Sequence, residues 1–255
     1  MEDNRKNRKA LVTGATGSIG PAIVMELAKA GVDVVLHFRS NPAIADKLAQ
    51  EVRKLGQKAF LVQGDLTLTK DCKSIAQRVS DELGGVDILV NNAGYYIKQP
   101  LMQITDEQWD KQIRTDLYGS FRLICDLADN MIQRKWGRVI NISSISSLNY
   151  IYHEGAYCVS KAGINMLTKS FAAELGCYGI TVNAVAPGPT LKHDEGHPPK
   201  PQDYPEHALI PDRRPGHATE VASLVKFLAS DEAAHINGQV IAIDGGISSV
   251  LTWQV

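Results

Sequence analysis

Short apolar runs alternate along the chain with longer stretches whose apolar positions recur at helical spacing. Strands are expected at 10–13, 32–38, 58–63, 86–91, 137–142, 181–186 and 240–243. Helices are expected at about 18–30, 42–55, 70–83, 106–134, 155–177 and 218–228. This repeated strand-then-helix order is the pattern of βαβ units. It predicts an α/β fold with a doubly wound, seven-stranded parallel sheet covered by helices on both faces. Local signals mark the boundaries: Pro21 falls in a first turn, Thr105 stands before Asp106 and Glu107 as an N-cap, and Gly31 and Gly56 follow helices as left-handed stops.

The rhythm breaks between Pro187 and Pro215, which holds eight of the chain's 11 prolines. Proline removes backbone donors and interrupts helices, so a loop spanning about 187–216 is expected to serve as a substrate-binding segment. Its histidines His193, His197 and His207 have no ligand-like spacing, and no metal site is expected. Residues 1–9, with Arg5, Lys6, Arg8 and Lys9, read as a solvated mobile arm ahead of a single domain at 10–255.

Composition narrows the class. The chain has 255 residues, 44% of them apolar, and 27 Lys+Arg against 28 Asp+Glu gives a net charge of -1, without the basic stripe that neutralises nucleic-acid phosphates. No nucleic-acid partner is expected, and no apolar run is long enough to span a membrane. Cys72, Cys125, Cys158 and Cys177 are scattered with no C-x-x-C pair, which points to reduced thiols and a cytoplasmic location.

The first strand runs into Thr13-Gly14-Ala15-Thr16-Gly17-Ser18-Ile19-Gly20 and then a helix. Glycines there let backbone amides approach a pyrophosphate at a helix N-terminus, although a tight strand-to-helix turn needs glycine with no ligand at all. Far downstream stands Tyr157-x-x-x-Lys161. Between and beyond lie Gly64-Asp65-Leu66-Thr67, Asn91-Asn92-Ala93-Gly94, Ile142-Ser143-Ser144, Pro187-Gly188, Asn237-Gly238-Gln239 and Asp244-Gly245-Gly246. In this order, from Ala10 to Gly246, the chain resembles the short-chain dehydrogenase/reductase family, in the branch of the 3-oxoacyl-acyl-carrier-protein reductases.

The resemblance implies a Rossmann-type domain binding a nicotinamide dinucleotide through Gly14, Thr16, Gly17, Ser18, Ile19, Arg39, Ser40, Asp65, Leu66, Asn92, Gly94, Pro187, Gly188 and Thr190, with Tyr157 and Lys161. Asp65 is expected at the adenine, and Asn92 and Gly94 at the adenosine ribose. Ser18 replaces a family glycine, which alters the backbone beside the pyrophosphate and offers a hydroxyl to it. NAD-binding relatives carry an acid at the end of the second strand, where this chain has Phe38 followed by Arg39. A guanidinium there pairs with a 2′-phosphate, so the cofactor expected is NADP(H).

Residues four apart on a helix share a face, and a cationic amine beside a phenol stabilises the phenolate. By itself a Y-x-x-x-K pair is common on surface helices. The resemblance gives Tyr157 the general acid's place, Ser144 the substrate oxygen, and Lys161 the cofactor ribose and tyrosine activation. Asp116 departs from the family, which usually has asparagine there to help position a water next to the lysine. An aspartate keeps the backbone carbonyl but adds a charge near Lys161, unless it merely caps or bends its helix.

Tyr95, Tyr96, Ser146, Tyr152, His153 and the loop after Pro187 are expected to wall the substrate pocket. Arg134, Lys135 and Arg138 offer a basic site for a carrier protein. Tyr178 stands where those reductases commonly have another basic residue. An acyl-carrier thioester, a small ketone, a sugar, a steroid and a pterin all remain open as the small-molecule substrate. Family likeness also implies a homotetramer. The rival reading is an NADP(H)-binding regulator or scaffold with little turnover, favoured by Ser18 and Asp116 and opposed by the intact Ser144, Tyr157 and Lys161.

Overall fold

The computed structural model describes residues 8–193 and 209–250. Of the arm expected at 1–9, residues 1–7 lie outside the described residues, as does the middle of the proline-rich segment with His197 and His207; Arg8 pairs with Asp231 and Lys9 opens the first strand. In chain order the strands are β1 (Lys9–Val12), β2 (Asp33–Phe38), β3 (Ala59–Gln63), β4 (Ile88–Asn91), β5 (Gly137–Ile142), β6 (Ile180–Pro187), β7 (Thr190–Leu191), β8 (Gly216–His217) and β9 (Val240–Ile243). The helices are α1 (Gly20–Lys29), α2 (Pro42–Lys54), α3 (Thr69–Leu83), α4 (Asp106–Ile113), α5 (Gly119–Arg134), α6 (Gly155–Leu175) and α7 (Ala218–Leu228).

Seven strands form one parallel sheet, as the strand pattern predicts, and their order is β3-β2-β1-β4-β5-β6-β9. Side chains alternate across it, because successive residues of a strand point to opposite faces. Ala10 and Val12 of β1 pack with Ile23 and Leu27 of α1 and Val221 and Val225 of α7. Leu11, between them, joins Ile75 of α3 and Leu123 and Leu127 of α5 on the other face. The direction of winding reverses between β1 and β4, and that reversal opens a crevice at the carboxyl ends of the strands.

Local chemistry sets most boundaries. Gly31 (φ 86°) and Gly56 (φ 83°) adopt the left-handed conformation just after α1 and α2. Thr105 caps α4, accepting from the Gln108 amide (3.3 Å) while the Gln108 side chain accepts from the Thr105 amide (2.9 Å). Helix α1 begins two residues later than its pattern suggests, because the glycine turn stays non-helical through Ile19. The expected helix over 106–134 is instead two helices joined by a π turn at Arg114–Tyr118, with Asp116 inside the turn. An inserted residue of this kind shifts side chains around the axis, and local periodicity carries no sign of it.

Of the basic cluster near the start of β5, Arg134 and Lys135 are exposed and Arg138 is buried. Arg138 is only 3% exposed, and its guanidinium donates to the carbonyls of Ser230, Gly137 and Gly179. Arg134 donates to the carbonyls of Val86 and Asn130. Both stand where β5 begins, at the opposite end of the sheet from the crevice. Arg8 and Arg138 also pack on the Trp136 ring, 3.8 and 4.3 Å from its centre. Arg8 and Arg138 are thus committed to the fold.

Gly20 lies where α1 leaves the turn, and a Cβ there would meet the Gly14 carbonyl and come within 2.8 Å of the Ala15 backbone. Gly20→Ala is expected to destabilise by about 1–3 kcal/mol, the usual cost of overpacking against rigid atoms. A thermal melt checks this, and an unchanged midpoint would show that the turn yields freely.

Candidate active site

A cavity of about 810 Å³ occupies the crevice. The β1–α1 turn contributes Gly14, Thr16, Gly17, Ser18 and Ile19 to its wall, and the segment after β2 contributes Arg39 and Ser40. Asp65 and Leu66 follow β3, Asn92 and Gly94 follow β4, Ser144 follows β5, and Pro187, Gly188 and Thr190 come from the end of β6 and beyond. Helix α6 adds Tyr157 and Lys161. All the expected cofactor and catalytic residues therefore line one cavity except Asp116, which is 1% exposed and reaches Lys161 from behind the wall.

The turn fits a dinucleotide. Gly14 has φ 60°, and a Cβ there would lie 2.8 Å from the Ala93 backbone, so only glycine lets the chain pass so near β4. Helix α1 starts with no side-chain cap and no acidic residue in its first turn, leaving its positive end available to an anion. Thr115 Oγ1 is buried on the cavity wall without a partner among the described residues, a polar atom that a bound group can satisfy.

Three polar groups hold this end in shape. The Asn92 side chain donates to the carbonyls of Thr13 (2.9 Å) and Gly14 (3.0 Å), so its amide nitrogen serves the turn even though the residue lines the cavity. Asp71 accepts from the Asp65 amide at 2.8 Å. His37, unmarked by any sequence motif, accepts the Gly14 amide proton on Nδ1 (3.2 Å) and donates from Nε2 to the Gly64 carbonyl (3.1 Å). Burial pulls the His37 imidazole down to about 4, against the opposing influence of the Gly64 carbonyl and Asp65. It is therefore neutral at physiological pH. Arg39 and Ser40 are exposed on the rim. Desolvation raises Asp65, but the Thr67 hydrogen bonds and the nearby Arg39 and Lys111 charges bring it below the ordinary carboxylate range.

At the other end Lys161 is 4% exposed and donates from Nζ to the Ile142 carbonyl at 2.9 Å. Asp116 Oδ2 lies 3.7 Å away. That carboxylate accepts from the Tyr95 amide (2.7 Å), the Gln112 side chain (2.7 Å) and the Ser160 hydroxyl (2.9 Å). Burial works against the ammonium, yet Asp116 and Tyr157 together hold Lys161 above its ordinary value. The aspartate is thus a charge partner of the lysine, not a helix cap. Lys161 Nζ lies 5.5 Å from the centre of the Tyr157 ring.

Around Ser144 and Tyr157 the structure revises the expected walls. Tyr95, Tyr96 and Ser146 line the cavity, but Tyr152 and His153 do not. Tyr152 is 70% exposed, and its ring packs against His153, whose backbone takes a positive φ of 64° and turns the segment outward. Ile151 and Glu154 take their places. The sequence offers no motif for Glu154; its position three residues before Tyr157 is the only cue.

The His37 arrangement has a measurable consequence. As pH falls below 6.5 the unfolded chain protonates this imidazole while the folded chain does not, so stability present above 6.5 is lost on the way down to about 4. The loss amounts to about 3 kcal/mol at the linkage of 1.36 kcal/mol per unit. His37→Asn should flatten the pH dependence of the melting midpoint over this window, and parallel wild-type and variant curves would contradict the assignment.

Comparison with known proteins agrees with the geometry. The family profile described as Enoyl-(Acyl carrier protein) reductase matches residues 14–248. A 3-oxoacyl-[acyl-carrier-protein] reductase of Staphylococcus epidermidis is 36% identical over 243 residues, covering 94% of this chain and 99% of that protein. Nodulation protein G of a Rhizobium species is 39% identical over 246 residues, 95% of this chain and 98% of the other. Among solved structures, acetoin dehydrogenase of Salmonella typhimurium superposes with a TM-score of 0.90 at 31% identity, covering 97% and 98% of the two chains. A gluconate 5-dehydrogenase of Burkholderia cenocepacia, in complex with NADP and tartrate, gives 0.87 at 30% identity, covering 98% and 99%. The chain belongs to the short-chain dehydrogenase/reductase family, whose members are NAD(P)-dependent oxidoreductases interconverting carbonyl and alcohol groups.

Proposed function

We propose that this protein is an NADP(H)-dependent reductase of small-molecule carbonyls, working in either direction, with Ser144, Tyr157 and Lys161 as its catalytic centre. The observation that carries the reading is the convergence of these three side chains with the glycine turn on a single cavity. A regulator that only sensed the dinucleotide would need the cofactor end alone. The buried, charge-paired Lys161 supports turnover.

NADP(H) is favoured at the rim. Phe38 stands where a ribose-binding acid would be and is buried in the core, leaving Arg39 and Ser40 as the exposed groups at the end of β2. A guanidinium there suits a 2′-phosphate. The gluconate 5-dehydrogenase relative was solved with NADP.

When bound, the nicotinamide supplies or takes up hydride. Tyr157 exchanges the proton with the substrate oxygen, and Ser144 holds that oxygen by a hydrogen bond. Lys161, fixed between the Ile142 carbonyl and Asp116, keeps a positive charge beside the phenol and favours its ionised form. Asp116 moderates that pull.

A 3-oxoacyl thioester, a vicinal hydroxy ketone and a sugar acid are the substrate types suggested by the relatives' names. Exposed Phe121 of α5 and Val159 and Met166 of α6 support a homotetramer in which these helices pack between subunits. The free cysteines support a reducing, cytoplasmic setting.

Fluorescence titration should show NADPH binding at least ~10-fold tighter than NADH, with Arg39→Ala removing the preference; equal affinities in the wild type would overturn the cofactor assignment. Tyr157→Phe should retain NADPH binding and lose roughly 10²–10⁴-fold in kcat, the range of general acid–base catalysis. Asp116→Asn removes a negative charge next to Lys161 and should move the pH–rate profile of alcohol oxidation to lower pH; an unmoved profile would reject the coupling.

A further inference from the structure

Glu154 is the N-cap residue of α6, a position where an acidic side chain ordinarily accepts from the first amides of its helix. Here the side chain makes no capping bond. It turns toward the cavity and is 8% exposed. Oε1 accepts from the Tyr96 hydroxyl at 2.7 Å, and Oε2 accepts from the Ser146 hydroxyl at 3.0 Å. Ser146 Oγ is in turn 3.1 Å from Ser144 Oγ, and the Tyr96 ring meets the Tyr157 ring edge-on with centres 5.2 Å apart. The carboxylate is thus two hydrogen bonds from the hydroxyl assigned to the substrate oxygen, and one ring contact from the proposed proton donor.

Its partners among the described residues are hydroxyls, not cations. Each oxygen of an ionised carboxylate has two acceptor sites, so one on each remains for a ligand. Burial and the Glu154 carboxylate both push the Tyr96 phenol above its ordinary value, so it remains a donor to Glu154. The positive end of α6 favours the negative charge where it stands. Lys161, the nearest ammonium on the cavity wall, already faces Asp116.

We infer that Glu154 is the specificity-determining residue of the substrate half: it admits ketones bearing a hydrogen-bond donor, such as a hydroxyl, beside the reacting carbonyl and rejects those bearing a carboxylate there. A hydroxyl on the neighbouring carbon donates to a free carboxylate site. A substrate carboxylate in the same place sets two like charges together in a partly desolvated cavity, where repulsion is little screened. The inference rests on the carbonyl-reductase reading. It favours α-hydroxy ketones and neutral polyols over oxo acids.

Hydroxyacetone and pyruvate are close in size and differ at this group, so they form the test pair. With NADPH, the wild-type enzyme should favour hydroxyacetone over pyruvate by at least tenfold in kcat/KM. Glu154→Gln, which keeps the shape and can still bond both hydroxyls, should narrow that ratio about tenfold, chiefly through the KM for pyruvate. An unchanged ratio in Glu154→Gln, or a wild-type preference for pyruvate, overturns the inference. The same pair is also titrated by saturation-transfer NMR into NADPH-saturated Tyr157→Phe protein, with and without the additional Glu154→Gln substitution, a readout that needs no turnover. Selective binding of hydroxyacetone that depends on Glu154, with no turnover in the wild type, would sink the reductase reading and leave the selectivity standing. Equal binding with normal turnover would do the reverse.

Discussion

Lys161 keeps a full positive charge almost out of reach of water, and much of the architecture around the cavity serves to make that tolerable. An unpaired buried ammonium would lose its proton or destabilise the fold. The Ile142 carbonyl at the end of β5 supplies one acceptor, and Asp116 supplies the countercharge. Asp116 in turn is a buried carboxylate that needs donors, and it draws them from the Tyr95 backbone, Gln112 and Ser160. The π turn at Arg114–Tyr118 breaks the regular helix where this carboxylate is presented. Strand end, helix defect and α6 are therefore tied together by one charge.

The dinucleotide end follows a different economy, built mainly from neutral hydrogen bonds. Asn92 and His37 grip the Gly14 turn from β4 and β2, the two neighbours of β1, so the turn is clamped from both sides of the point where the winding reverses. Neutral clamps leave the positive end of α1 uncancelled for a phosphate. Arg39 stands exposed at the rim, where its charge carries no desolvation penalty. Further along, the His193 amide donates to the Ser18 carbonyl, so the chain leaving β7 returns to the same turn.

Two carboxylates thus flank the side chains proposed as catalytic, in different settings. Asp116 sits behind the wall and accepts three hydrogen bonds from the protein; Glu154 sits on the wall and its side chain accepts two. The contrast is one of partners, since both are buried. The first tunes a neighbouring ammonium, and the second presents a charge to whatever enters.

The alternating apolar pattern was enough to place seven strands and their order of alternation with helices, because that periodicity is a local consequence of which side chains must face a sheet or a core. The glycine turn and the Tyr157–Lys161 spacing were legible for the same reason, being short-range requirements of backbone freedom and helical geometry. Tertiary structure alone decided the rest. His37 matters through Gly64, 27 residues on; Asp116 meets Ser160 across 44 residues; Glu154 meets Tyr96 across 58. Arg138 looks like a surface cation in the sequence and proves to be a buried donor to three carbonyls. Whether a polar residue is a catalyst, a clamp or a selector depends on which partners reach it and how much water remains, and both are set only when the chain has folded.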